Sequence, residues 1–270
     1  MHIKRYQTHK LKHGRKDGKE GGLSKRTVQY HHRVLSKALK HAVKWRVIDN
    51  NPAEVIQAPS PDTPEIKALN EQEINHLLAA AEGWVYDLIY TAIFTGMWRE
   101  ELLALRWSDI DFDEQVIQVK QSVTKVTGKD LEFRKPKTKS SIRPINIDED
   151  LSKIFKRRKK EQKQNKLKLG NKYNTEYNLV FCKVNGDPFL PQYATRKFND
   201  AAKKADLEEF RLHDLRHTHA TLMLKADVHP KIVQERLGHS SINQTLDTYS
   251  HVIPSMQKEA VKKLKNNLNN

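Results

Sequence analysis

The sequence predicts a mostly helical α+β chain with one small antiparallel sheet. Three observations carry this prediction. Apolar residues recur at three- to four-residue spacing over 24–47, over 70–107 and again from 191 onward. Strand-like alternation is confined to 115–147. A proline-rich run, APSPDTPEIK (58–67), separates a short basic N-terminal part from a larger remainder. The expected organisation is therefore a helical domain over 1–57, a linker over 58–67 and a second domain over 68–270.

Residues 24–47 form one amphipathic helix with Ser24 as its N-cap. Val28, Leu35, Leu39, Ala42 and Val43 make its apolar stripe, while Lys25, Arg26, Arg33, Lys37, Lys40 and Lys44 fall largely on other faces. The helix stops before Asn50-Asn51-Pro52. Upstream, MHIKRYQTHKLK supplies one short helix at most, followed by a Gly/Lys-rich turn over 14–22. So little chain cannot cover the stripe, and the N-terminal domain is expected to be partial.

In the second domain, Asn70 with Glu73 reads as a capping box that opens a helix through Ala81. Further helices are expected over 84–95 and 98–107, interrupted by Gly96. VIQVKQSV and SIRPINI have strand character and are separated by the turn-prone TGKD. The stretch 150–170 is a basic helix whose cations make a solvated face. From 191 the pattern is helical, punctuated at Gly238 and Pro254, and no internal repeat is present.

Composition narrows the function. Net charge is +16, and residues 1–50 hold fourteen Lys/Arg against three Asp/Glu. Such a concentration fits a polyanionic partner, nucleic acid first, because each neutralised phosphate releases condensed counterions. Cys182 is the one cysteine, which excludes an internal disulfide. No apolar leader core or membrane-length apolar run is present, so a cytoplasmic protein with no membrane partner is expected.

The densest chemistry lies in RLHDLRHTHATLML (211–224), where His213, Arg216 and His217 fall at i, i+3 and i+4 on one helical face. His239 follows in ERLGHSS and Tyr249 in TLDTYSH. Three readings compete. A metal site has His213, His217, His219 and His239 to draw on, but Arg216 between the first ligands repels a cation and no HExxH pattern is present. A structural reading leaves these side chains as satisfied core groups. A phosphoryl-transfer reading uses Arg as a planar bidentate donor, His as hydrogen-bond donor, and Tyr as a nucleophile able to form a covalent phosphodiester.

Tyr249, His213-x-x-Arg216, the LGH at 237–239 and the TG…ELLALRWSDID at 95–111 together resemble the tyrosine recombinases, the phage-type integrase family. The likeness covers about 65–265 closely, and 20–60 resembles the second half of that family's helical core-binding domain. It implies a tyrosine recombinase catalytic fold preceded by a partial core-binding domain. It further implies that Tyr249 attacks a scissile phosphate to give a 3′-phosphotyrosyl link, with Arg216 clamping the phosphate and His213 and His239 donating hydrogen bonds or shuttling protons. The family's hairpin lysine matches Lys137, with Lys139 two residues along on the same strand face. The resemblance implies no cofactor and no metal. It implies double-stranded DNA at recombination or attachment sites as partner, assembly on DNA up to a tetramer, and nucleoid association while bound. Lys135 and Arg143 join the cations of 24–47 as expected DNA contacts, and the tail after Pro254 resembles the family's exchange helix.

One position departs from the pattern. The family's first catalytic Arg follows Thr-Gly and one apolar residue, three positions before a Glu; here that position is Trp98. Arg99 is adjacent, but one helical step rotates a side chain by about 100°. An indole offers one neutral donor and no fork. Two outcomes are therefore expected: a recombinase with severely weakened cleavage, or a DNA-binding integrase remnant without catalysis. A type IB topoisomerase, with similar chemistry and no sequence-defined site, is a minor third.

Overall fold

The computed structural model describes residues 2–61, 66–125, 128, 130–136 and 139–250. The chain divides into two compact units, 1–65 and 66–270. Part of the expected linker, the hairpin tip, Lys137 and the tail after Ser250 lie outside the described residues.

The first unit holds helices α1 (His2–Lys12) and α2 (Lys25–Lys44). Ser24 caps α2, its hydroxyl accepting from the Thr27 N–H at 3.2 Å. Gln7 and His32 join the two helices side chain to side chain at 3.0 Å. Among the unit's described hydrophobic residues only Val28 and Ala53 are fully buried, whereas Tyr30, Val34, Trp45 and Val47 stand exposed.

The second unit is mostly helical with two small antiparallel sheets. Its first helix, α3 (Glu71–Ala80), carries the reciprocal capping box. The Asn70 side chain accepts from the Glu73 N–H at 3.0 Å, and the Glu73 carboxylate accepts from the Asn70 N–H at 2.7 Å. Helix α4 (Gly83–Thr95) is buried on most sides and ends at Gly96, left-handed at φ 65°. A Cβ on Gly96 would lie 2.5 Å from the His219 ring, so glycine is required there twice over.

The next helix is shorter than its expected 98–107: α5 covers only Arg99–Leu102. Leu102, Leu103, Ala104 and Leu105 are all buried, so an apolar run enclosed from several sides carried no helical phase. The chain leaves the helix because Leu105 and Trp107 pair with 178–180. The Val180 N–H donates to the Leu105 carbonyl at 2.8 Å and the Trp107 N–H to that of Asn178 at 3.1 Å.

Strands β1 (Ile110–Asp111), β2 (Val116–Val119), β3 (Ser122–Lys125), β4 (Leu131–Arg134) and β5 (Arg143–Asn146) follow. They form a three-stranded sheet of order β1-β2-β5 and a separate β3-β4 ribbon. Ile110, Ile117 and Ile145 align across the larger sheet and are buried. VIQVKQSV is thus two strands in two sheets, broken where the Gln121 amide donates to the Ala104 carbonyl at 2.6 Å. Helix α6 (Glu149–Leu169) is the basic helix expected over 150–170, and α7 (Pro191–Lys204), α8 (Asp214–Lys225), α9 (Pro230–Leu237) and α10 (Ile242–Tyr249) complete the described chain. Among the described residues no helix is long and apolar enough to cross a membrane.

Candidate active site

Helix α8 and the C-terminal ends of α4 and α9 meet at Arg216. Helix α8 presents it with His217 one residue on, and His213 sits just before the helix as its N-cap residue. The Arg216 side chain is 3% exposed. Its two terminal nitrogens donate to the Gly96 and Leu237 carbonyls, both at 2.7 Å. Those carbonyls lie at the C-terminal ends of α4 and α9, the negative poles of the two helix dipoles, which offset part of the cost of burying a cation. Burial first, and the neighbouring Arg143 second, lower the Arg216 pKa to about 10, so it remains cationic at neutral pH.

Tyr249 ends α10 and is 1% exposed, packed among Ala220, Leu224, Val233 and Leu237. Its hydroxyl lies 2.9 Å from His217 Nδ1. Burial raises its pKa to about 12, so the phenol is protonated at neutral pH. His217 is pushed down to about 4 by burial and then by His213. Neutral at pH 7, it offers Nδ1 as an acceptor for the phenol proton when Nε2 carries the ring hydrogen.

His239 follows Gly238, the left-handed C-cap of α9. Its Nδ1 lies 2.8 Å from the Thr245 hydroxyl. Burial, then Arg216 and Arg143, hold its pKa near 4. His213 is likewise lowered, by burial and then by Arg216. The pocket is thus a buried cation surrounded by neutral imidazoles. His219 is committed to structure: Arg236 Nε donates to its Nε2 at 3.1 Å, which leaves Nδ1–H to donate to the Ile93 carbonyl at 2.8 Å. Both ring nitrogens are therefore spent on protein partners. Among the described residues no group of three or more His, Cys, Asp or Glu is arranged to hold a metal.

Trp98 occupies the mouth of this arrangement. Its indole stacks on the His213 ring at 4.6 Å and 14°, and the Arg216 guanidinium lies 4.5 Å from its centroid. His213 in turn meets His217 edge-on at 5.0 Å. Trp98, His213, His217 and Tyr249 form one continuous chain of rings. Arg99 turns elsewhere, binding Glu100 and donating to the Thr195 hydroxyl at 2.6 Å.

Arg143 requires a correction. It was expected to rim the cleft and contact DNA, yet it is 5% exposed. Two of its nitrogens grip the Glu101 carboxylate at 2.8 Å each, and Nε donates to the Arg236 carbonyl at 2.7 Å. The same carboxylate accepts from the Trp98 N–H at 3.0 Å, so this ion pair fixes the backbone that carries the indole. Lys135 is exposed beyond β4, and Lys139 opens a 3-10 turn over Lys139–Ser141. On α2 all six expected cations are exposed, and Arg26, Arg33, Lys37, Lys40 and Lys44 share a sector of roughly 60° at about 100° per residue.

The family model for the phage integrase family matches residues 67–256. The chain belongs to the phage integrase family. The ICEBs1 integrase of Bacillus subtilis is 31% identical over 253 residues, covering 93% of this chain and 68% of that protein. A protein named tyrosine recombinase XerC-like from Caldanaerobacter subterraneus is 30% identical over 260 residues, covering 90% of this chain and 66% of its own. The chain thus spans about two thirds of the length of these curated relatives. Among solved structures, the Tn1549 transposon integrase in complex with transposon right end DNA is similar at a TM-score of 0.74 and 27% identity, covering 90% of this chain and 81% of that one. Its mostly helical architecture with small antiparallel sheets is that of this fold.

His217 is the residue that sequence reasoning placed on the right face and left out of the site. Its signal was the i, i+4 spacing from His213; its contact with Tyr249, 32 positions away, has no local signature.

Proposed function

We propose that this phage integrase family member is a DNA site-specific recombinase whose strand cleavage is strongly weakened at Trp98. The observation that carries this reading is the position of one side chain. The Trp98 indole lies against both His213 and Arg216, where the family pattern calls for a second arginine.

In the intact reaction the Tyr249 oxygen attacks phosphorus and forms the phosphotyrosyl bond while the bond to the 5′ oxygen breaks. The phenol proton passes to a neighbouring imidazole, for which His217 Nδ1 is nearest in the described structure. Lys137, matched through the resemblance, returns a proton to the departing 5′ oxygen. Arg216 offsets charge on the non-bridging oxygens, and His213 and His239, neutral at pH 7, donate hydrogen bonds. Trp98 supplies neither charge nor fork, and losing one preorganised donor costs about 10²–10³ in rate. The exposed cations of α2 and Lys135 hold the DNA backbone; phosphate contacts set affinity and register while carrying no sequence information. The Tn1549 integrase structures, solved with DNA, support the choice of partner. Assembly on DNA up to a tetramer and a cytoplasmic, nucleoid-associated location complete the proposal.

A second reading has the same motivating observation. If the stacked indole excludes the phosphate altogether, the chain occupies recombination sites as a DNA-binding protein without catalysis. A covalent-adduct assay with Tyr249→Phe as the blank separates the two: Tyr249-dependent adducts support the enzyme, and their absence at every protein concentration supports the binder.

A further inference from the structure

Beside the catalytic pocket lies a second cleft of about 310 Å³, lined by Trp98, Arg99, Thr195, Asn199, Arg211 and His213 among others. This is at the lower end of the ~300–1,000 Å³ typical of small-ligand sites. Although stacked on His213, Trp98 keeps 41% of its surface exposed. With His213 stacked on it and the Arg216 guanidinium 4.5 Å from its centroid, the indole still keeps enough free surface to serve as a stacking platform, because every nucleobase has a π-face.

The rim has matching polar chemistry. Arg211 is fastened to the buried Asp214 through Nε and Nη2, while its side chain is 77% exposed and its Nη1 takes no part in that pair. Glu100, the one acidic side chain in the lining, is neutralised by Arg99 and so does not repel a phosphate. Asn199 lies exposed on α7 and carries an amide with both donor and acceptor for a base edge.

We infer that this cleft captures a single unpaired nucleotide of the bound DNA. The base stacks on Trp98, the Asn199 amide reads its edge, and Arg211 meets its phosphate. The inference rests on the DNA-binding reading above and goes beyond it, since duplex DNA offers no free base face. The energetic cost of unpairing is least where the base is already mismatched or single-stranded. DNA with a preformed bubble should therefore reveal the site without that cost.

The test uses the full chain and two DNAs of equal length, one fully paired and one with a short internal bubble carrying 2-aminopurine. The expected result is an affinity for the bubble higher by about tenfold, the scale of one base–aromatic stack, with 2-aminopurine fluorescence quenched on binding. Trp98→Ala should abolish the preference and the quenching, Trp98→Phe should keep both, and Arg211→Ala should weaken the bubble complex alone. Lys37→Ala with Lys40→Ala should weaken both complexes alike, which marks ordinary backbone binding. Equal affinity for the two DNAs, or a preference that survives Trp98→Ala, overturns the inference. So does tight competition by a free deoxynucleoside monophosphate without any bubble preference, which would make the cleft a small-nucleotide site instead. Because binding rather than cleavage is measured, failure here is distinguishable from failure of the recombinase reading: a chain that forms no adduct can still prefer the bubble.

Discussion

The Trp98 indole lies nearly parallel to the His213 imidazole, 4.6 Å away and tilted by 14°. This stack sits over the Arg216 guanidinium and links, through His217, to the Tyr249 hydroxyl. Trp98 is thus an ordered part of the packing around Arg216. Replacement by Ala should free His213 without supplying the missing charge. Measured adduct formation by Trp98→Ala should stay at least about 10²-fold below that of Trp98→Arg; equal rates would mean that steric blockage alone explains the defect.

The Glu101–Arg143 pair should matter more to stability than any surface ion pair in the chain. Both side chains are under a tenth exposed and joined bidentately. Removing one partner strands the other charge in the interior, so Glu101→Gln or Arg143→Met should cost about 3–5 kcal/mol in chemical denaturation. A loss below about 1 kcal/mol, the scale of an exposed pair, would contradict this account.

Gly96→Ala should destabilise the fold by at least ~1–2 kcal/mol from the left-handed backbone alone. The added methyl also meets His219 at 2.5 Å, and the Gly96 carbonyl is a partner of Arg216. Thermal melting checks the prediction; an unchanged midpoint would refute it.

Acid should unfold the second unit through its buried histidines. In the folded chain burial holds His239 near 4 and His219 near 3, against about 6.5 for a free imidazole. Between pH ~6.5 and ~4 the unfolded chain therefore binds protons that the folded chain does not, and stability falls as pH falls through that window. Tyr249 acts at the other end: raised to about 12, it contributes stability that is lost as pH rises from ~10 through 12. NMR titration should find His219 and His239 neutral at pH ~5. Imidazolium signals there would contradict their burial.

DNA affinity should depend steeply on salt. Five exposed cations crowd one sector of α2. If most of them meet phosphates, the plot of log affinity against log salt should slope at roughly −4. A flat response would remove α2 as the DNA-facing surface.

What was legible in the sequence was local and periodic. The Asn70–Glu73 box, the stop at Gly96, the stripe of α2 and the three-residue spacing of His213 and Arg216 each act within one or two turns. Features made by distant partners were not legible. LEFR alternates apolar and polar residues, but four residues are too short a run to stand as a strand without the pairing with SVTK that makes β4. The helix after Trp98 is cut short by a segment over seventy residues downstream. Arg143 was misjudged by its charge, although a signal was present: it is in phase with Ile145 and Ile147, and all three point inward. Lys137 and the tail after Pro254, both assigned through resemblance, lie outside the described residues.

The most direct test of the central claim is a covalent-trap assay comparing the chain as it stands with Trp98→Arg and with the double variant Trp98→Arg/Tyr249→Phe, on DNA from the source genome. Trp98→Arg should raise the yield of denaturant-resistant protein–DNA adducts by at least about 10², and the added Tyr249→Phe should abolish them. An adduct yield that does not change on introducing the arginine would contradict the claim that Trp98 is what holds this site below working activity.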